Sequence, residues 1–181
     1  MADRNLKTEI FGKEVDFDYA EHWVGYSLIA MRIGMGWILL QGGLTKLVNP
    51  SWTAAGYLNN VPAGNPFTAY WSFMAGNPIV DQLVIWGLVL TGIALIIGAF
   101  TRLTVFSAST MMMLFWASGL EGGILQGFPV AHGWVINSDI VYVILMVAAA
   151  EFGAGRILGV DAYLEETDIV KNNSWLKHFL A

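Results

Sequence analysis

Four stretches of the chain are apolar enough and long enough to cross a bilayer, and most polar positions lie between or beyond them. They run from about 26 to 48, 79 to 100, 103 to 119 and 135 to 154. Each is near the roughly 20 helical residues that a hydrocarbon core of about 30 Å requires, and the third is the shortest. Only Thr101 and Arg102 separate the second and third stretches, so these two are expected to form a tight antiparallel helical hairpin. The segment from Asn49 to Pro78 carries Trp52, Tyr57, Phe67, Tyr70, Trp71 and Phe73 and is broken by Pro62, Gly64 and Pro66. Aromatic side chains at that density suit the headgroup level of a membrane, which predicts one or two short interfacial helices there. Gly119 to Trp134 reads as a Gly-rich external loop containing Glu121 and His132. The pattern as a whole predicts an all-α polytopic membrane protein. Its four-transmembrane-helix bundle occupies residues 26–160, with short interfacial helices in the first external loop. Residues 1–25 form a terminal segment expected as a short surface helix or without structure, and residues 161–181 form a tail.

Composition agrees with lipid as the solvent. Hydrophobic residues make up 56% of the chain and charged residues only 13%, about half the charged share of a soluble domain. Arg4, Lys7 and Lys13 precede the first span, Arg102 sits in the short turn, and Arg156, Lys171 and Lys177 follow the fourth span. The positive-inside rule then places both termini in the cytoplasm, as parts of a multi-pass protein of the cell membrane. No apolar run precedes Trp23, so the first span is expected to stay in the mature protein. The net charge of −5 gives no footprint for nucleic acid. With no cysteine, disulfides, thiolate metal sites, iron–sulfur clusters and dithiol redox chemistry are excluded. No resident haem or metal is expected, because His22, His132 and His178 lie outside the spans and Met111, Met112 and Met113 point three ways around one helix.

Arg32 stands well inside the first span, where an ionisable group is costly and a functional candidate. At about 100° per residue, Arg32, Gly36, Leu39, Gly43 and Lys46 share one face, and the glycines on it allow a neighbouring helix to come close. That stripe is expected to face the bundle interior. Two readings of Arg32 stand side by side. It is a structural anchor paired with a carboxylate, for which Glu151 is the candidate, or it serves a bound ligand. A second group, Lys46, Asp81, Glu121, His132 and Asp139 with Gln41 one turn deeper, collects at the outer ends of the spans. A cation, several carboxylates and one imidazole around a cavity there suit a quinone head group or a small anion.

The run RIGMGWILLQGGLTKL from Arg32 to Leu47 resembles the first-helix signature of DoxX and DoxD-type membrane proteins. GLVLTGIALIIGAFTR from Gly87 to Arg102 is similar to their Gly-spaced helix ending in Thr-Arg, and EFGAGRILGVD from Glu151 to Asp161 to the ending of their fourth helix. In that ending Ala154 stands where the family has proline, and extra residues separate Arg156 from Asp161. The resemblance implies a four-helix membrane subunit. The aromatic external segment is closer to the DoxD-like branch, which includes the small membrane subunit of thiosulfate:quinone oxidoreductase. It points to a quinone-interacting subunit of a membrane oxidoreductase, with Arg32, Lys46 and the outer polar set positioning the quinone. Electrons then have to come from a partner redox subunit. A non-catalytic scaffold or assembly subunit, or a homo-oligomer, is the alternative, and catalysis itself stays open. A small transporter fits less well, because no inverted repeat or Pro-broken span is present.

Overall fold

The computed structural model describes residues 3–120 and 135–180. It opens with a two-stranded antiparallel hairpin, β1 (Asp3–Ile10) and β2 (Lys13–Ala20), in which Leu6 pairs with Phe17 and Thr8 with Val15. The two-residue turn is Phe11 and Gly12, both with positive φ (51° and 74°), the geometry that matches the twist of the flanking strands. This corrects the expectation of a surface helix or unstructured segment, and it adds a sheet to an otherwise all-α chain. The reason is readable in β2, where Val15, Phe17 and Tyr19 alternate with Glu14, Asp16 and Asp18. A period of two puts the first set on one face and the acids on the other. Asn5 donates to Asp16 and, at 3.0 Å, to Asp18, while Lys7 pairs with Asp16 at 3.4 Å.

From Glu21 the chain passes without a linker into α1 (Glu21–Leu47), 27 residues long. Two short helices follow, α2 (Ala55–Leu58) and α3 (Thr68–Met74), in the aromatic segment. Next is α4 (Pro78–Ile97), started by the Asn77 side chain and by Pro78 at its first position. The left-handed residues Gly98 and Phe100 turn the chain directly into α5 (Thr101–Ser118). After the segment outside the described residues comes α6 (Ser138–Glu151), whose first turn is capped by Asn137. A single 3-10 turn (Ala154–Arg156) and the short helices α7 (Val160–Glu166) and α8 (Asp168–Asn172) complete the chain with a last 3-10 turn (Ser174–His178).

Helices α1, α4, α5 and α6 overlap the four apolar stretches, with α1 starting earlier and α6 shorter than expected. Among the described residues, α1 and α4 are long and apolar enough to cross a membrane. At 14 residues α6 spans about 21 Å, less than a full hydrocarbon core.

Helix α1 packs most closely on α4, and glycine makes the approach possible. A Cβ on Gly36 would lie 2.8 Å from Ile96 Cγ1, one on Gly43 2.7 Å from Val89 Cγ2, and one on Gly92 2.5 Å from the Leu40 nitrogen. Of the stripe predicted to face inward, Arg32, Gly36, Leu39 and Gly43 are buried and Lys46 is half-buried. A common core joins α1, α4, α5 and α6 through Met35, Leu39, Leu88, Leu95, Met112 and Met146. Of the three consecutive methionines, Met112 is in that core and Met113 is exposed. The tail does not trail away. Leu180 and Val170 are buried, and the Leu103 amide donates to the Phe179 carbonyl at 3.3 Å.

Candidate functional sites at the two ends of the bundle

At one end, four parts of the chain converge on Arg32, which is 2% exposed. Its Nη1 donates to the carbonyls of Ala154 at 2.6 Å and Ile157 at 3.1 Å, and its Nη2 to that of Leu158 at 3.4 Å. Gly98 and Gly159 wall the guanidinium in. A Cβ on either would lie within 2.6 and 2.7 Å of Nη1, so both must be glycine. Asp161, completely buried, supplies the opposing charge. Its carboxylate also accepts from the amides of Phe100 at 2.6 Å and Thr101 at 2.9 Å, while its own amide donates to the Gly98 carbonyl at 2.9 Å. Helix α5 has no side-chain cap of its own, so Asp161 caps it from 60 residues away.

This geometry corrects the partner expected for Arg32. Glu151 is exposed and makes no ion pair with it among the described residues. Beyond α6 the chain reverses at Gly153, with φ of 68°, and brings the 154–161 segment under the guanidinium. The partner therefore comes from a fold-back that helix register does not encode. Arg156, next to this node, pairs at the surface with Glu165 at 2.7 Å.

The other end is built from aromatic residues. A cavity of about 480 Å³ lies among the end of α1, the α2–α3 segment, the start of α4 and the end of α5. Trp52, Tyr57, Tyr70, Trp71 and Phe115 supply its flat apolar walls, and Lys46 is the one charged side chain lining it among the described residues. The Lys46 ammonium donates to the Gly42 carbonyl at 3.0 Å and lies 5.5 Å from the centre of the Trp52 ring. Since an ammonium carries three donors, hydrogen-bonding capacity remains beyond that bond. Trp71 is 6% exposed, and its buried indole N–H has no acceptor among the described residues. A smaller pocket of about 200 Å³ adjoins on the far side of Lys46 and Trp52, bordered by Asn49, Asp81 and Gln82.

The aromatic segment is held in place by polar bonds to the helices. Asp81 accepts from the Ala54 amide at 2.8 Å. Buried Asn65 donates to the carbonyls of Ala117 at 2.9 Å and Ser118 at 3.1 Å, closing the end of α5. Of the outer residues singled out from the sequence, the structure brings together Lys46 and Asp81. Gln41 is exposed on the outside of α1, and Asp139 is tied to Asn137 in the first turn of α6, away from both cavities. Glu121 and His132 lie outside the described residues. Arg32 is about 21 Å along α1 from Lys46, so the two cations do not share a site. Sequence reasoning missed Asp161, Asn65 and the wall formed by Trp52 and Trp71. The aromatic run that marked a membrane interface was also the signal for that wall. No group of three His, Asp or Glu side chains gathers as a metal site among the described residues.

No curated protein and no solved structure matches the chain. A family model does, that of DoxX, over residues 27–119, just over half of the chain. The match runs from the second turn of α1 to the end of α5, through the Gly36–Gly92 packing and the Gly98–Thr101 turn. It establishes that the chain belongs to the DoxX family, a family of membrane proteins.

Proposed function

We propose that the protein is a four-span membrane subunit of an oxidoreductase, of the DoxD-like kind, and that its aromatic cavity takes the head group of a quinone. The observation that carries this reading is the Lys46 ammonium at the wall of a cavity otherwise lined by aromatic and aliphatic side chains. A quinone is a flat ring with carbonyl oxygens and no donor. Aromatic faces suit the ring, and a charged donor suits a carbonyl oxygen, more so as it gains negative charge on reduction. Trp71 adds a further aromatic face to the same wall. Two electrons and two protons convert quinone to quinol. The chain has no cysteine, and in this reading a partner redox subunit delivers the electrons.

Arg4, Lys7, Lys13, Arg102, Arg156, Lys171 and Lys177 belong to the termini and to the α4–α5 turn, the Arg32 end of the bundle. By the positive-inside rule that end, with both termini, faces the cytoplasm, and the cavity lies at the outer surface where α2 and α3 rest in the headgroup layer.

The test is thermal unfolding of the purified protein with and without a short-chain quinone. The quinone should raise the melting temperature of the wild type and fail to raise that of Lys46→Met. An equal rise in both would remove Lys46 from the site, and no rise in either would remove the quinone. One observation favours a second reading, a scaffold without a ligand. Arg32, the most deeply buried cation, has both terminal nitrogens bonded to backbone carbonyls of the segment that follows α6.

A further inference from the structure

Gln41 faces away from the cavity and from the bundle. At about 100° per residue, Gly34, Ile38, Gln41 and Thr45 form one strip of α1 within about 60°, and all four are exposed. Trp37 and Leu44, on its flank, are exposed as well, so the surroundings of Gln41 are those of a lipid-facing surface. Gln41 lies about 9 Å inside the Leu47 end of α1, farther than its short side chain reaches toward water. Several other polar side chains on the spans make a local bond. Thr45 returns its bond to Gly42, Ser107 to Leu103 and Thr110 to Phe106, and Gln82 accepts from Trp86. The Gln41 amide, with two N–H donors and a carbonyl, makes no such bond among the described residues. In hydrocarbon that leaves polar groups without a partner.

From this we infer that the exposed strip of α1 is the contact between two copies of the chain, with Gln41 of each copy bonded to Gln41 of the other. A primary amide is complementary to itself, since a twofold axis beside it lets each carbonyl accept from the other's N–H. That symmetry is what selects a second copy as the occupant over an unrelated helix. Gly34, two turns away, has open space where a Cβ would stand and so permits close approach of the facing helix. The inference requires the bilayer but not the quinone, and it stands or falls separately from that reading.

The absence of cysteine makes the test clean. In native membranes, full-length Ile38→Cys and Thr45→Cys should each give a cross-linked product of twice the chain mass on mild oxidation. Leu90→Cys, on the exposed face of α4, should not. Adding Gln41→Leu to Ile38→Cys should cut the yield, and in vesicles it should weaken dimerisation measured by energy transfer about tenfold. Leucine suits a lipid-facing position, so an unchanged monomer melting temperature confirms that this variant folds. Yields at residue 38 no higher than at residue 90, products of some other mass, or a dimer indifferent to Gln41→Leu would each overturn the inference.

Discussion

Replacing Asp161 with alanine removes a helix cap and the charge facing Arg32 in one step. The cap consists of two charge-assisted bonds, from Phe100 and Thr101, at the start of α5, whose own N-cap residue supplies none. Losing such a cap costs about 0.5–2 kcal/mol. Leaving a buried cation without its countercharge costs about 3–5 kcal/mol. The three carbonyls that still hold the guanidinium offset part of this, so the combined loss is about 3–4 kcal/mol. For a chain of this size each kcal/mol moves the melting temperature by about 2–4 °C, so Asp161→Ala should unfold roughly 10 °C below the wild type in detergent. Asp161→Asn, which keeps an acceptor but not the charge, should fall between the two. Glu151→Ala should stay within about 0.5 kcal/mol of wild type, because its side chain is exposed. In a double-mutant cycle, Arg32→Ala and Asp161→Ala should be strongly non-additive, while Arg32→Ala and Glu151→Ala should add. A wild-type melting temperature for Asp161→Ala, or coupling of Arg32 to Glu151 in its place, would refute this account of the node.

Gly92→Ala should destabilise the protein by about 1–3 kcal/mol or more, since the added Cβ meets the α1 backbone at Leu40, whereas Gly34→Ala, in open space, should be close to neutral by the same melting assay. Trp71→Phe should cost the ligand-free protein no more than about 1 kcal/mol by the same assay, because removing a buried donor without an acceptor offsets part of the volume lost from its cluster. A thiol-specific reagent that does not cross membranes should label Tyr57→Cys from outside intact cells and Lys171→Cys only after lysis; the reverse pattern would invert the topology.

Periodicity carried the positions of the long helices and the inward stripe of α1, because apolar run length and the 100° step are local properties. The hairpin was equally local, but its alternation of Val15, Phe17 and Tyr19 with acids is short and surrounded by charge, so the period of two was overlooked. Arg32 was recognisable as buried, yet its partners were not. They are mostly carbonyls, which carry no residue identity, and Asp161 reaches it through a reversal at Gly153. At the other end the sequence pointed to Lys46 and Asp81, which share the smaller pocket. The same 100° step puts Gln41, five residues before Lys46, on the opposite side of the helix from the stripe, a local signal that was overlooked. The cavity itself arises where Trp52 and Trp71 are folded back over α4 and α5, a placement set by Asn65 and by the Asp81–Ala54 bond.

The quinone reading is tested most directly by photolabelling the wild-type protein in vesicles with a short-chain azidoquinone and locating the modified peptides by mass spectrometry. Labelling that an excess of unmodified quinone suppresses, on the segment from Lys46 to Met74 or the start of α4, is the predicted result. Labelling that quinone does not suppress, or that falls on Arg32 and residues 154–161, would contradict it.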